Sequence, residues 1–410
     1  MKKKILYYSD CYFFAGCENM IANFLNSEEL NTKYDVRLVY RYSERYEAGA
    51  RTRINDMTKC SGVLLINDLP KERIVTANIR IMSFLQKCLW AILYIINKYY
   101  SIYKNTKTLK KVFEDFKPDI VHINNGGLPA ATSCYAAVLA AHSLGIKDIY
   151  YVVNNMAMGY SHPFRWLDHI LDHYIKEYVK CFVTGSDNAG NHLKRILRLP
   201  TSKQVTLRNG ITQRPTTMSV SEFKKKYSIP EGKIVFSTIA NLEERKGHRY
   251  LLQAIKELRD KNLLQNCLFI FEGKGPNEFF IRQYIDNNNL SSYVKLITVD
   301  AIYDLYAATD VTILPSVANE DFPNIIIESM GMGIPVIGTR IAGIPEQIIS
   351  EETGVLIEPA DSLSLKNAIV RLGTDNKFRI KCGMRAKDVF KENYTSCRSV
   401  KNYISLYNNK

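Results

Sequence analysis

The chain has 410 residues, 46% hydrophobic and 23% charged, a globular composition in a chain too long for one ordinary core. Its 55 Lys and Arg against 41 Asp and Glu leave a net charge of +14, which draws phosphorylated substrates, anionic membrane surfaces or nucleic acid. Nine scattered cysteines without a Cys-x-x-Cys pair argue against a disulfide framework or structural zinc, and no zinc-finger spacing or RNP-like sequence supports nucleic acid.

The opening MKKKILYYSD has three lysines but only a short apolar run, so it reads as a first strand over Ile5–Tyr8 rather than an export signal. The loop Ser9–Glu18 follows, with Gly16 just ahead of a helix over Glu18–Leu25. Val36–Tyr40 and Gly62–Ile66 read as the next strands. Residues 74–113 then hold seven Lys or Arg (Arg80, Lys87, Lys98, Lys104, Lys107, Lys110, Lys111) and no Asp or Glu. Ile81, Phe84, Leu85, Cys88, Ile92, Ile95, Ile96, Tyr99 and Tyr103 recur there at helical spacing. Such a stripe fits a core-packing helix or one lying in a membrane interface. The missing acids favour the interface, because solvated faces ordinarily mix signs. The longest apolar run, Cys88–Ile96, is nine residues, far short of the roughly 20 that span a bilayer.

Pro118–Asn124 is strand-like and ends in Asn125-Gly126-Gly127. His122 alternates with Val121 and Ile123, the position of a satisfied strand histidine. Ile149–Val153 is a strand ending at Asn154-Asn155. His162, Asp168, His169, Asp172 and His173 include two i,i+4 pairs that could suggest a metal, but a polar helix face is the expected reading. Strands over Cys181–Gly185 and Val205–Leu207 lead to Arg208-Asn209-Gly210-Ile211 and a polar linker, Thr212–Ser221. Beyond it come a strand over Lys233–Ala240, the loop Asn241–Gly247, a helix from His248, a strand over Leu268–Glu272 and the turn Gly273-Lys274-Gly275-Pro276. Val294–Val299 and Val311–Pro315 are further strands. The loop Ser316–Asp321, a helix over Asn324–Met332, the strand Pro335–Gly338 and a helix from Gly343 complete a parallel-sheet alternation, and Phe390–Tyr407 reads as a final helix.

Two features of the second half carry chemistry. Glu320 sits in a loop and Glu328 about one turn inside the helix that follows. A helix N-terminus suits a phosphate, and a carboxylate one turn in can accept from ribose hydroxyls, although acids are also common at helix starts. Spacing alone leaves both readings open. Arg245 and Lys246, at the tip of a strand, suit a diphosphate whose departure develops negative charge, and no Asp-x-Asp sequence offers a divalent ion for that task.

NEDFPNIIIESM, then GIPVIG and AGIPE, resembles the donor site of the retaining GT-B glycosyltransferases, the large family-four or group 1 family that includes sucrose and mannosyl transferases and many lipopolysaccharide and capsule enzymes. The resemblance implies an α/β fold of two Rossmann-like domains facing a cleft. Residues 1–211 would form an acceptor domain, 212–388 a nucleotide-sugar domain, and 389–410 a helix crossing back to the first domain. It implies Glu320 on the donor sugar, Arg245 and Lys246 on the diphosphate, and Glu328 on the ribose. Gly16, Gly273, Gly275, Phe322, Pro323 and Asn324 would also contact the donor. Asn124, Asn125, Gly126, Gly127 and Asn154 would face the acceptor.

Four positions depart from the family pattern: Ala15 replaces a glycine, Asn154 a frequent histidine and Thr212 an aspartate, and Arg245 adjoins Lys246 instead of standing three residues ahead. The expected function is transfer of a sugar, with retention, from a nucleotide sugar to a glycan or polyprenyl-lipid-linked acceptor in bacterial surface polysaccharide synthesis. The alternatives are a GT-B epimerase or phosphorylase and a non-catalytic nucleotide-sugar binder. No cofactor or metal is expected beyond the nucleotide-sugar co-substrate. The expected location is the cytoplasm, at the inner face of a membrane bound through residues 79–111.

Overall fold

The computed structural model describes residues 2–14, 16–67, 80–129, 131–161, 163–264 and 266–408. Ala15, residues 74–79 and His162 lie outside them, as do the side chains of Arg80, Ile81, Phe84, Leu85 and Lys87. The chain forms two units: Met1–Gly185, Ala189–Leu207 and Val400–Lys410 make the first, and Ser186–Asn188 with Arg208–Ser399 the second.

The first unit is built on seven strands: β1 (Lys3–Ser9), β2 (Tyr34–Arg41), β3 (Cys60–Val63), β4 (Ile120–Asn125), β5 (Asp148–Val153), β6 (Cys181–Thr184) and β7 (Gln204–Thr206). They lie in the order β3-β2-β1-β4-β5-β6-β7, and every pairing is parallel. Alternate side chains serve opposite faces, as the two-residue pleat demands. Leu6 and Tyr8 enter one core with Val121, Ile123 and Tyr151, while Ile5 and Tyr7 enter the other with Ile120, Tyr150 and Val152. Both faces are covered, which explains why these strands read as continuous apolar runs.

The expected strand Gly62–Ile66 is corrected to Cys60–Val63. The backbone of Ile66 pairs instead with the Asn105 side chain, donating to its Oδ1 at 2.9 Å and accepting from its Nδ2 at 3.0 Å. Seen from β2, the ladder ends where Tyr42 N–H donates to Val63 O.

The described part of the acid-free stretch, residues 80–113, lies in one helix, Arg80–Phe116. Its buried line is Tyr94, Lys98, Ser101, Ile102, Asn105, Leu109, Phe113 and Phe116. The apolar stripe of the sequence is a different face: Cys88, Ile92, Ile96, Tyr99 and Tyr103 are exposed and Ile95 half-buried. Core packing therefore does not account for the described part of that stripe. One of its cations is withdrawn, because buried Lys98 is ion-paired to Asp168.

The second unit carries six strands: β8 (Ile234–Ile239), β9 (Cys267–Glu272), β10 (Val294–Ile297), β11 (Val311–Leu314), β12 (Val336–Thr339) and β13 (Gly354–Ile357). Their order is β10-β9-β8-β11-β12-β13, again all parallel. The strand order reverses between β1 and β4 in one sheet and between β8 and β11 in the other. Ligands of doubly wound sheets bind at the carboxyl ends of such strands.

Two segment expectations change in this unit. The final helix is broken into Asn376–Asn393 and Ser396–Asn408, because Ile211 takes over the backbone between them. Ile211 N–H donates to Tyr394 O at 2.9 Å, and Ser396 N–H donates to Ile211 O at 3.0 Å. Residues 208–211 and 389–399 accordingly belong to the second unit, and only Val400 onward joins the first. The polar linker is also anchored, since the Thr217 N–H and hydroxyl both donate to Asp304 and Ser219 with Glu222 forms a capping box on the helix Val220–Lys226.

Candidate functional site

In the second unit the loops that follow β8 and β11 are fastened to each other. Val317 N–H donates to Arg245 O at 2.8 Å. Gly247, at φ 72°, permits this approach: a Cβ there would lie 1.9 Å from Pro315 O. Glu320 is 5% exposed and meets both cations of the β8 loop. Lys246 Nζ is ion-paired to its Oε1, and Arg245 Nη1 lies 3.5 Å from the same oxygen. Ser316 Oγ donates a third bond to that oxygen at 2.7 Å, and Thr339 holds the loop from behind by donating to Ser316 O at 2.7 Å. A carboxylate held by two cations and a hydroxyl is fixed in place.

Arg245 is shared. Its Nε donates to Glu243 at 2.7 Å and its Nη1 to Asn319 O at 2.9 Å. Of the two acids beside the cations, Glu243 is thus a partner of Arg245, whereas Glu244 pairs away with Arg249 and Asn277.

Glu328 lies in the helix Asn324–Gly331 and accepts from Tyr306 Oη at 2.7 Å. Burial pushes its carboxyl above the ordinary 4.5, while the Tyr306 bond and the charge of Arg214 pull it back. Phe322 points into the core, edge-on to Tyr394, and Asn324 Oδ1 accepts from Asn209 at 3.2 Å. Pro323 has no N–H, so the donors at this helix start are those of the flanking residues. Gly273 and Gly275 bring the β9 loop against the β8 loop, where Leu242 N–H donates to Lys274 O at 3.0 Å.

In the first unit, Asn124, Asn125 and Asn154 form one cluster at the ends of β4 and β5. Asn154 Nδ2 donates to Asn124 Oδ1 at 2.8 Å and to Asn125 O at 2.9 Å. Asn125 is turned inward and donates to Tyr151 Oη at 2.6 Å, whereas Asn124 Nδ2 is buried without a hydrogen-bond partner. Gly126 is exposed and Gly127 buried in the turn that follows, and Gly16 is exposed as the first residue of the helix Gly16–Asn26. His122 is fully buried with its Nδ1 2.6 Å from Tyr407 Oη, and burial lowers its pKa to about 3. It is a satisfied strand histidine.

The Asp and His pairs of 168–173 part company. Asp168 and Asp172 are buried against Lys98 and Arg165, while His169 and His173 are exposed.

Three supporting residues carried no signal in the sequence reading: Ser316 and Tyr306, which touch the two glutamates, and Asp10. The last caps the end of β1, accepting from Arg41 Nε at 2.6 Å and from Ser133. Tyr306 and Asp10 have partners distant in sequence, and Ser316 is a common loop serine four residues from Glu320.

Two parallel-sheet Rossmann-like units of this kind make the GT-B fold of glycosyltransferases. Solved structures agree: a glycosyltransferase from Rickettsia africae (TM-score 0.74, 18% identity, 99% of this chain and 98% of that one) and the Anabaena HepE protein in complex with UDP and glucose (0.76, 14%, all of both chains). Residues 219–389 match the model of glycosyl transferases group 1, and the second unit is a domain of that family. Curated relatives include N-acetyl-alpha-D-glucosaminyl L-malate synthase of Bacillus anthracis, 28% identical over 46% of this chain and 49% of its own. Another is the Escherichia coli UDP-Gal:alpha-D-GlcNAc-diphosphoundecaprenol alpha-1,3-galactosyltransferase, 30% identical over 38% of this chain and 40% of its own. The chain thus covers less than half the length of these relatives.

Proposed function

We propose that the chain is a retaining glycosyltransferase that moves a sugar from a nucleotide sugar to a lipid-linked or glycan acceptor in bacterial surface polysaccharide synthesis. The observation that carries this reading is the convergence of Arg245, Lys246 and Ser316 on Glu320 at the switch-point loops, with Glu328 one turn into the next helix. Glu328 takes the ribose hydroxyls and Glu320 the hydroxyls of the donor sugar. Arg245 and Lys246 take the diphosphate, helped by the backbone N–H groups around Phe322–Asn324 and by the close turn at Gly273 and Gly275. The bond between the anomeric carbon and the diphosphate oxygen breaks, a bond from that carbon to the acceptor oxygen forms on the same face, and the leaving diphosphate takes the acceptor's proton. Charge developing on the diphosphate is met by the two cations, so no metal is required.

The acceptor is assigned to the first unit, through Asn124 with its unmatched amide, the Asn125–Gly127 turn and Asn154, beside Gly16. A named relative acts on a diphosphoundecaprenol sugar, which supports a lipid-linked acceptor here. The exposed apolar stripe of the helix Arg80–Phe116, with Lys104, Lys107 and Lys111 further along, is read as a face that docks on an anionic membrane. No helix among the described residues is long and apolar enough to cross one.

The test is nucleoside diphosphate release from UDP-, GDP- and ADP-sugars with a membrane lipid extract. Lipid-dependent release from one donor is expected. Donor binding without release in any extract would favour a non-catalytic binder, and absence of any donor binding would overturn the reading.

A further inference from the structure

The first unit holds a cavity of about 410 Å³ with no lining residue assigned to the proposed transfer. It lies between the helix His169–Tyr178, the end of the helix Asp187–Leu197 and the loop before them. His169, His173, Lys176, Arg195 and Arg198 line it together with Tyr160.

One acid, Asp172, is also in the lining, but it is already matched. Arg165 Nη2 lies 2.5 Å from its Oδ2, and Tyr135 and Tyr160 donate to its two oxygens at 2.7 and 2.5 Å. Asp168 beside it is paired with Lys98 and Arg165, so this buried group of two acids and two bases sums to zero. The three cations Lys176, Arg195 and Arg198 therefore set the charge of the cavity. Three cations around a concavity, with two imidazoles as further donors, match a phosphate or diphosphate.

The helix His169–Tyr178 also shows where such a group would come from. Its positions 169, 173 and 176 face the cavity, Leu171 and Ile175 face the core, and Ile170 and Tyr174 are exposed. Trp166, just ahead of it, is 65% exposed, and Tyr99 of the apolar stripe donates to Leu167 O at 3.0 Å. Exposed apolar residues thus share this helix with the basic lining, and the stripe of the long helix meets the chain at Leu167, two residues ahead of His169. An aromatic and aliphatic edge beside a phosphate site is the arrangement that seats a lipid headgroup at a bilayer surface.

We propose that the cavity between Tyr160, the helix His169–Tyr178 and Arg195–Arg198 is a binding site for the phosphate of an anionic lipid headgroup. It goes beyond the transfer reading and requires no step of it.

The test uses the full chain carrying Lys176→Gln, Arg195→Gln and Arg198→Asn together. Asparagine is chosen at Arg198 because that residue sits at φ 53°, which Asn tolerates. All three replace side chains at the rim, so the fold is retained. Pyrophosphate binding is measured by calorimetry, and sedimentation with phosphatidylglycerol and with phosphatidylcholine vesicles is measured in parallel. An Arg245→Ala background, carried by both chains compared, weakens any pyrophosphate binding by the second unit equally in the two. Loss of about tenfold or more in both pyrophosphate and phosphatidylglycerol binding is expected. Loss of pyrophosphate binding alone would keep the phosphate site but assign it to a soluble ligand, overturning the lipid source. Unchanged binding of both would overturn the site. Because no sugar donor is present, failure here is separate from failure of the transferase reading.

Discussion

Lys246 and Glu320 form an ion pair in the second unit with Lys246 9% and Glu320 5% exposed, and Arg245 stands 3.5 Å from the same carboxylate oxygen. In the free protein the cations assigned to the diphosphate are occupied by the carboxylate assigned to the sugar. Under the proposed assignment a donor would draw Arg245 and Lys246 partly off Glu320, releasing that carboxylate for sugar hydroxyls. Lys246→Ala should lower kcat by about 100-fold or more, the usual cost of one preorganised charge partner of a leaving group. It should also destabilise the chain by about 2–3 kcal/mol, less than a fully orphaned buried charge because Arg245 remains. Donor turnover and urea denaturation of the same variant measure the two effects. Normal turnover with lowered stability would show the pair to be structural only.

Glu328 gives a pH prediction with a definite sign. Its folded pKa is raised above the ordinary 4.5 by burial, so the folded chain binds the proton more tightly than the unfolded one. The stability this provides is full below about 4.5 and is lost as pH rises through the raised value. Glu328→Gln, which can still accept from Tyr306, should therefore be more stable than the native chain at neutral pH and lose that advantage on acidification. The same variant should raise KM for the nucleotide sugar by roughly tenfold, since a neutral amide is a poorer acceptor for ribose hydroxyls. Denaturation curves at about pH 5 and about pH 8, with donor titrations, would check both.

Gly273 sits at φ 143°, and a Cβ there would fall 2.0 Å from Ala240 O; at Gly275 it would fall 2.5 Å from Leu242 O. The obstacle in each case is backbone, so the β8 loop that carries Arg245 and Lys246 would have to move. Gly273→Ala should cost about 2–4 kcal/mol of stability and weaken donor binding, although neither glycine has a side chain to touch the ligand. Thermal melting and donor affinity would show it. A variant that melts normally and binds normally would exclude this turn from the site.

The order of strands, loops and helices was legible because both sheets are covered on both faces, which turns each strand into an apolar run, and Glu320 and Glu328 were legible because loop and helix lie consecutively. What escaped depends on partners far apart in the chain. Leu64–Ile66 reads as strand, yet Asn105, 39 residues away, takes the backbone of Ile66. The break at Tyr394–Thr395 has no Pro or Gly to announce it and is made by Ile211. The stripe of the long helix was visible, but its direction was not. Periodicity gives the spacing of a face and not which way it points, and here the core takes the line through Ile102, Leu109 and Phe113.

His122 has a depressed pKa of about 3 because burial disfavours its charged form, so its sign is opposite to that of Glu328. Below about 6.5 the unfolded chain binds a proton that the folded chain refuses, and stability falls as pH drops from there toward 3. His122→Gln should cost stability at neutral pH, through lost packing against Tyr7, Phe24 and Tyr403. It should also flatten the acid-side decline, because no group in its place must stay uncharged. Equilibrium unfolding from about pH 7 to about pH 4 would test this, and an unchanged slope would remove His122 as the source of acid sensitivity.

Membrane docking through the long helix is tested where its stripe is most exposed. Ile92 and Ile96 are 55% and 60% exposed and stand one turn apart, so charge placed there does not enter the core. Inserting two isoleucines into a bilayer surface contributes about 1–2 kcal/mol each, and glutamates in their place would also be repelled by anionic lipid. Ile92→Glu with Ile96→Glu should therefore weaken sedimentation with phosphatidylglycerol vesicles by at least about tenfold while leaving donor binding in the second unit unchanged. Ile92→Ser with Ile96→Ser should give a smaller loss that does not depend on salt, which separates lost apolar contact from charge repulsion. Vesicle binding that survives the glutamates would mean that this face does not meet the membrane.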